Sequence, residues 1–241
     1  MNFKAFFSNI FILINISLLL LSGCNNDVKK AENPNSSPEI ESISYLALGD
    51  SYTIGTGINP EQSWPYQLRD SLQTLDIPLQ KTDIIAVNGW TTADLQNGIN
   101  EAKPDSAYDL VSLLIGVNNQ YQGMDIDFYR KEFRELLEQA ITFANSDADR
   151  IFVISIPNYG VTPFAESRNP DEILQEIETY NDIAEKIAAE YNIPIVNITS
   201  ISELAAKDST LLASDELHPS AKMYAMWVEK MLPTVTQIIQ P

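Results

Sequence analysis

The chain of 241 residues contains a single histidine, His218. Acyl transfer through an imidazole base therefore has one candidate base. Asp215 stands three residues earlier, within reach of the ring across one turn. A carboxylate on Nδ1–H would fix the tautomer and leave Nε2 to accept a proton. Pro219 can open a helix, which leaves both side chains in the loop before it. The serine able to give up that proton is Ser51, in Leu46-Ala47-Leu48-Gly49-Asp50-Ser51-Tyr52. The aliphatic run reads as a buried strand, and Gly49 permits a sharp turn. The Ser51 hydroxyl then sits at the C-terminal end of a strand, where open parallel sheets bind ligands. Each residue also has a plainer role: Ser51 as a cap, His218 as a structural histidine, Asp215 as a helix cap in competition with Ser220.

Acyl transfer also needs hydrogen-bond donors where negative charge develops, each worth roughly 3–4 kcal/mol of the barrier. The candidates are the N–H of Ser51, the N–H of Gly89 and the side-chain amide of Asn118. Gly89 lets a backbone amide approach a substrate with no Cβ in the way, or is simply a turn glycine. Asn118 has the alternative of satisfying a loop backbone. Trp90, Tyr121, Tyr159 and Phe164 fall on the same set of loops, where aromatic rings either line an acyl or sugar pocket or pack the loops together.

The elements that must position these residues alternate. Apolar runs at Ile43–Leu48, Asp83–Val87, Leu110–Ile115, Arg150–Ile156 and Pro194–Ile198 read as buried strands. Between them, one-sided apolar stripes predict helices: one capped by Ser63 and carrying Leu68, Leu72 and Leu75, then Thr91–Ala102, Asp125–Ala144, Glu172–Tyr191 and Ser220–Leu232. Strands alternating with helices imply a parallel sheet covered on both faces, and right-handed crossovers place all strand C-termini on one edge. Gly49-Asp50-Ser51, Asn88-Gly89-Trp90, Gly116-Val117-Asn118-Asn119, Pro157-Asn158-Tyr159 and Asp215–His218 all fall there. One domain is expected over residues 42–241.

At these residues the chain resembles the SGNH, or GDSL-type, esterases and lipases. Gly49-Asp50-Ser51 matches the family's first block, Gly89 the glycine of its second, Gly116-Val117-Asn118 its third, and Asp215–His218 its last. The four blocks occur in family order and span nearly the whole domain. The resemblance implies Ser51 as nucleophile, His218 as base, Asp215 as its orienting acid, and Ser51, Gly89 and Asn118 as the oxyanion hole. It also implies an α/β, flavodoxin-like three-layer sandwich: a five-stranded parallel sheet with helices on both faces. Consistently, no Gly-x-Ser-x-Gly elbow surrounds Ser51. Two positions depart from the pattern. Tyr52 stands where leucine is usual, and Asn119, which carries no charge, stands where the third block usually has aspartate.

The N-terminal stretch reads differently. Lys4 precedes the apolar run Phe11–Leu21, too short for an ordinary membrane span, and Leu21-Ser22-Gly23-Cys24 follows. This resembles a bacterial lipobox, which implies a signal peptide over 1–23 and a lipid-modified Cys24. Residues 24–41, rich in Asn, Pro and Ser, read as a flexible tether. The expectation is a protein in the bacterial cell envelope, lipid-anchored outside the cytoplasm at the outer membrane or facing the periplasm. Cys24 is the only cysteine, so no intrachain disulfide forms.

Composition narrows the partners. Fifteen basic against 33 acidic residues give a net charge of −18, which repels polyanions and argues against nucleic acid. One histidine and one cysteine argue against a zinc site, while the carboxylates leave weak calcium binding open. No cofactor is expected. The reading is serine-dependent hydrolysis of acyl or acetyl esters through an acyl-enzyme, with carbohydrate acetylesterase and lysophospholipase or short-chain esterase both open. The rival is a non-catalytic surface lipoprotein that binds glycan or a protein partner. Acyl length, alcohol identity and oligomeric state are not encoded in these motifs.

Overall fold

The computed structural model describes residues 43–240 apart from Ser106. The expected signal segment 1–23, Cys24 and the tether 24–41 lie outside the described residues, as do the terminal residues 42 and 241 of the expected domain.

Five parallel strands form one sheet: β1 (Ile43–Gly49), β2 (Leu79–Ala86), β3 (Leu110–Leu114), β4 (Ile151–Ile154) and β5 (Ile195–Val196). Their order, β2-β1-β3-β4-β5, is the flavodoxin-like arrangement. The helices are α1 (Ser51–Ile54), α2 (Trp64–Thr74), α3 (Thr92–Ala102), α4 (Val117–Tyr121), α5 (Ile126–Phe143), α6 (Pro170–Glu190), α7 (Thr199–Ser202) and α8 (Ala221–Ile239). α2 and α8 pack together on one side of the sheet, and α3, α5 and α6 form the contiguous layer that accompanies β2 and β3. The chain thus has the expected three-layer α/β architecture.

The central strands explain why the sheet is stable. Tyr45 to Leu48 of β1 and Leu110 to Leu114 of β3, apart from the hydroxyl-bearing Ser112, are apolar and almost wholly excluded from water. Each such large side chain contributes roughly 1.5–3 kcal/mol relative to exposure. Tyr45 OH and Ser112 Oγ, which would otherwise be orphaned here, hydrogen-bond each other at 2.8 Å.

Several boundaries differ from the sequence reading. β2 starts at Leu79 because Ile43 to Gly49 of β1 pair with Leu79 to Ala86, and it ends before Val87, which is exposed. β4 stops at Ile154: Ile156 N–H leaves the ladder and donates to Asn181 Oδ1 at 2.7 Å. β5 is only two residues long. The helix expected to be capped by Ser63 ends at Thr74, leaving Leu75 exposed, and Ser63 holds the N-cap position without capping it, since its buried hydroxyl makes no hydrogen bond to the helix. α8 does not end at Leu232 but runs through Pro233 to Ile239, held beyond the proline by the buried Val235. The short helices α1 and α4 at the strand ends carry no readable period, yet they present Ser51 and Asn118.

Candidate active site

β1 delivers Ser51 to the C-terminal edge beside β3, where the winding of the sheet reverses and a crevice opens. Gly49 is required there by packing. A Cβ would sit 2.1 Å from Thr53 Oγ1 and 2.6 Å from Leu114 O. Asp50 is the N-cap of α1, its Oδ1 accepting Tyr52 N–H at 3.0 Å. Ser51 is therefore the first residue of the helix, where the helix itself provides no acceptor for its N–H. The Asp50 carboxyl is completely buried, and its Oδ2 has no hydrogen-bond partner among the described residues. Burial raises its pKa to about 7, against the opposing pull of the Tyr52 N–H.

The second component is the loop before α8. Ser220 is the N-cap of that helix, accepting Met223 N–H, which frees Asp215 for another partner. The loop is pinned at its base: Ala213 N–H donates to His218 O at 2.8 Å, and Ser220 N–H to Leu211 O at 2.8 Å. Asp215 Oδ2 lies 2.7 Å from His218 Nδ1, while Oδ1 accepts the backbone N–H of His218 at 3.0 Å and of Leu217 at 3.1 Å. A carboxylate there assigns the proton to Nδ1 and leaves Nε2 as an acceptor. Burial works to raise the Asp215 pKa, but the hydrogen bonds from the His218 ring and the two backbone N–H groups outweigh it and hold the carboxyl below its ordinary value.

Two contacts of this loop had no sequence signal. The ring of Tyr52 stands 5.2 Å from that of His218, centroid to centroid, and backs the imidazole. Gly57, at φ +87°, passes so close that a Cβ would lie 2.8 Å from Asp215 Oδ2. Tyr224 of α8 donates its hydroxyl to Tyr52 O at 2.9 Å, tying α8 to α1.

The third component comes from the loops after β2 and β3. Gly89 has φ +84°, and a Cβ there would meet nothing within 4 Å. Backbone conformation, rather than a close neighbour, calls for glycine at this position. Asn118, on α4, donates one Nδ2–H to Trp90 O at 2.9 Å. The second N–H of the amide is left for a ligand. Asn119 is fully buried and turns the other way, accepting Thr92 N–H at 3.0 Å.

These parts meet. Ser51, Tyr52, Asn88, Gly89, Val117, Asn118, Tyr121, Tyr159, Phe164, Leu217 and His218 line one cleft of about 170 Å³. Tyr121, Tyr159 and Phe164 form a mutual cluster with centroids 5.8–6.4 Å apart. Tyr159 is buried, whereas Tyr121 and Phe164 are each 46% exposed. Arg168 holds the cluster from behind, donating to Tyr159 OH at 2.6 Å and lying 5.1 Å from the centre of the Tyr121 ring. Trp90 is the expected aromatic that the fold takes elsewhere. Its indole packs onto Gly98 of α3, where a Cβ would lie 2.1 Å from the ring, and only its carbonyl serves the cleft, by holding Asn118. Among the described residues no cluster of three or more His, Cys, Asp or Glu is arranged to hold a metal ion.

An imidazole acceptor, a nearby serine hydroxyl and convergent N–H donors around one small cavity are able to perform acyl transfer. Comparison with known proteins points the same way. The sequence profile of the GDSL-like lipase/acylhydrolase family matches residues 47–226. Among curated proteins, none matches the chain by sequence. Solved structures match in fold. The lipase/acylhydrolase from Enterococcus faecalis superposes with a TM-score of 0.62 at 18% identity, covering 83% of this chain and 98% of its own. The acetyl xylan esterase AlAXEase gives 0.61 at 20% identity, covering 80% and 100%. A single-site mutant of Axe2, an acetyl-xylooligosaccharide esterase from Geobacillus stearmophilus, gives 0.60 at 21% identity, covering 81% and 95%.

Proposed function

The chain belongs to the GDSL-like lipase/acylhydrolase family and is an SGNH-type ester hydrolase, and we propose that it removes short acyl groups, acetyl first among them, from a saccharide alcohol. The observation that carries this reading is the shape of the cleft. Its volume of about 170 Å³ is below the roughly 300–1,000 Å³ that encloses a drug-sized ligand. It suits an acyl group of a few carbons. At its mouth stand the exposed Tyr121 and Phe164, whose flat faces suit the apolar C–H face of a sugar ring. Two of the structural neighbours are, by their descriptions, esterases of acetylated xylan or xylooligosaccharide.

In this reading Ser51 Oγ attacks the acyl carbon while His218 Nε2 takes its proton, and Asp215 stabilises the imidazolium. The Ser51 and Gly89 N–H groups and the free Nδ2–H of Asn118 hold the oxyanion. The C–O bond to the alcohol breaks, and His218 returns the proton to the leaving oxygen. Water then attacks the acyl-Ser51 ester by the same route, releasing the acid and restoring the serine. Lipidation at Cys24 and a place in the bacterial cell envelope belong to this proposal. The acidic surface and the lipid anchor would keep the domain beside, but not on, an anionic bilayer.

The test is turnover of 4-nitrophenyl acetate and of acetylated xylooligosaccharides by the purified protein, with Ser51→Ala as control. Folded Ser51→Ala should be inactive. Turnover retained in that variant would remove Ser51 as nucleophile. Ligand binding without turnover in the wild type would favour the non-catalytic alternative, and a preference for lysophospholipid would overturn the substrate assignment.

A further inference from the structure

Asn119 and Glu132 stand on opposite sides of one hydroxyl. Thr92, at the first turn of α3, is fully buried. Its N–H can only donate, so the amide oxygen of Asn119 must face it, at 3.0 Å. Asn119 Nδ2 then faces Thr92 Oγ1, at 2.6 Å, and the hydroxyl accepts. The single hydroxyl proton is thereby released to Glu132, whose Oε2 on the half-buried face of α5 accepts it. The direction of every bond follows from the first.

The relay joins the two segments that carry two of the three oxyanion donors. Gly89 lies just upstream of Thr92, and Asn118 is the neighbour of Asn119. With the bond from Asn118 to Trp90 O at 2.9 Å, the relay sets how far the Gly89 amide stands from the Asn118 amide. We propose that Asn119 is a positioning residue for this oxyanion hole, acting as one unit with Glu132 through the Thr92 hydroxyl; this rests on the ester-hydrolase mechanism above. An amide at 119 completes the relay while a carboxylate occupies 132. A carboxylate at 119, the group usual in the resembled family, would compete with Glu132 for the same proton. It would also set two negative groups across one buried hydroxyl. Glu132→Gln removes the conflict, because the new amide donates to Thr92 Oγ1 and the hydroxyl donates to residue 119, which reverses the relay.

The experiment compares wild type, Asn119→Asp, Glu132→Gln and the double variant. Three quantities are read: kcat and KM on 4-nitrophenyl acetate, the rate of fluorophosphonate labelling of Ser51, and the thermal midpoint. Glu132→Gln should stay within about twofold of wild type, since its amide oxygen still accepts. Asn119→Asp should lower kcat and the labelling rate by about tenfold, the scale of coupling within one hydrogen-bond network, with KM nearly unchanged. The double variant should recover to within about threefold. Wild-type kcat in Asn119→Asp, or a double variant no faster than that single variant, overturns the proposal. If Asn119→Asp does not fold, the series is repeated on Thr92→Val, where removing the hydroxyl should make the two substitutions additive; persistent coupling there overturns the relay. A wild type that neither turns over nor labels defeats the ester-hydrolase reading, while the thermal midpoints still decide whether 119 and 132 are coupled.

Discussion

One carboxyl group, that of Asp215, holds both the ring and the backbone of His218: Oδ2 lies 2.7 Å from Nδ1, and Oδ1 lies 3.0 Å from the histidine N–H. The ring is thus fixed in position and in tautomer by a residue three positions away. Asp215→Asn keeps the backbone bonds through its amide oxygen but turns an N–H toward Nδ1, which demands the tautomer with its proton on Nε2. We expect kcat to fall by about 10³–10⁴-fold with the fold intact, as the wrong tautomer does in serine proteases. Steady-state kinetics beside a far-ultraviolet spectrum would check this; a fall under tenfold would mean that the carboxylate does not select the tautomer.

Asn118→Ala removes the amide proposed as an oxyanion donor and its tether to Trp90 O. kcat should drop by about 10²–10³-fold with KM little changed, because the lost bond is made to developing charge. A change confined to KM would reassign Asn118 to ground-state binding.

Gly57 has no chemical group to offer, yet it should affect catalysis. Its φ of +87° is strained for alanine, and the added methyl would press on Asp215 Oδ2 from 2.8 Å. Gly57→Ala should cost about 1–2 kcal/mol of stability and lower kcat by up to about a hundredfold through displacement of the acid. Thermal unfolding and kcat are the readouts, and an unchanged kcat in the folded variant would show that Asp215 has room to yield.

Asp50 makes a pH prediction. Burial raises its pKa to about 7 in the folded chain, against about 4 for an unfolded aspartate. Between these values the folded protein holds a proton that the unfolded chain has lost. Its contribution to stability therefore falls as pH rises from about 4 to about 7, and is flat above that. An asparagine at this position has no such titration and can still accept the Tyr52 N–H. Asp50→Asn should gain stability relative to wild type as pH rises through this window. Urea midpoints at pH 4.5, 6 and 8 measure the difference; a constant difference would place the carboxyl in contact with a compensating charge.

The exposed rings of Tyr121 and Phe164 are assigned to the alcohol side of the substrate. Replacing both by alanine should raise KM for an acetylated xylooligosaccharide about tenfold, the scale of one well-placed aromatic contact, and leave kcat on 4-nitrophenyl acetate within about twofold. Equal losses on both substrates would move the rings to the acyl side.

The fold class was legible because it rests on periodicity. The buried strands alternate with one-sided helices, and that pattern admits few architectures besides a covered parallel sheet. The element ends were less legible. Pro233 marks a helix end by local chemistry, but burial of Val235 beyond it carries the helix on to Ile239. β2 is longer than its apolar core because β1 offers it partners back to Leu79.

The types and order of Ser51, Gly89, Asn118, Asp215 and His218 are properties of the sequence. So is the expectation that strand ends carry them, since a parallel sheet with right-handed crossovers leaves no other edge for them. Which neighbours complete the cleft is not written in any local pattern. Tyr52 behind the imidazole and Gly57 against Asp215 meet their partners from the far end of the chain. Trp90, which its sequence position puts at the cleft, is drawn away by the missing side chain of Gly98. Asn119 looked like a departure from a motif until Thr92 and Glu132 were brought against it. Residue chemistry and period are local and can be read along the chain. Hydrogen-bond direction, close approach and burial belong to pairs of distant residues, so only the folded chain decides them.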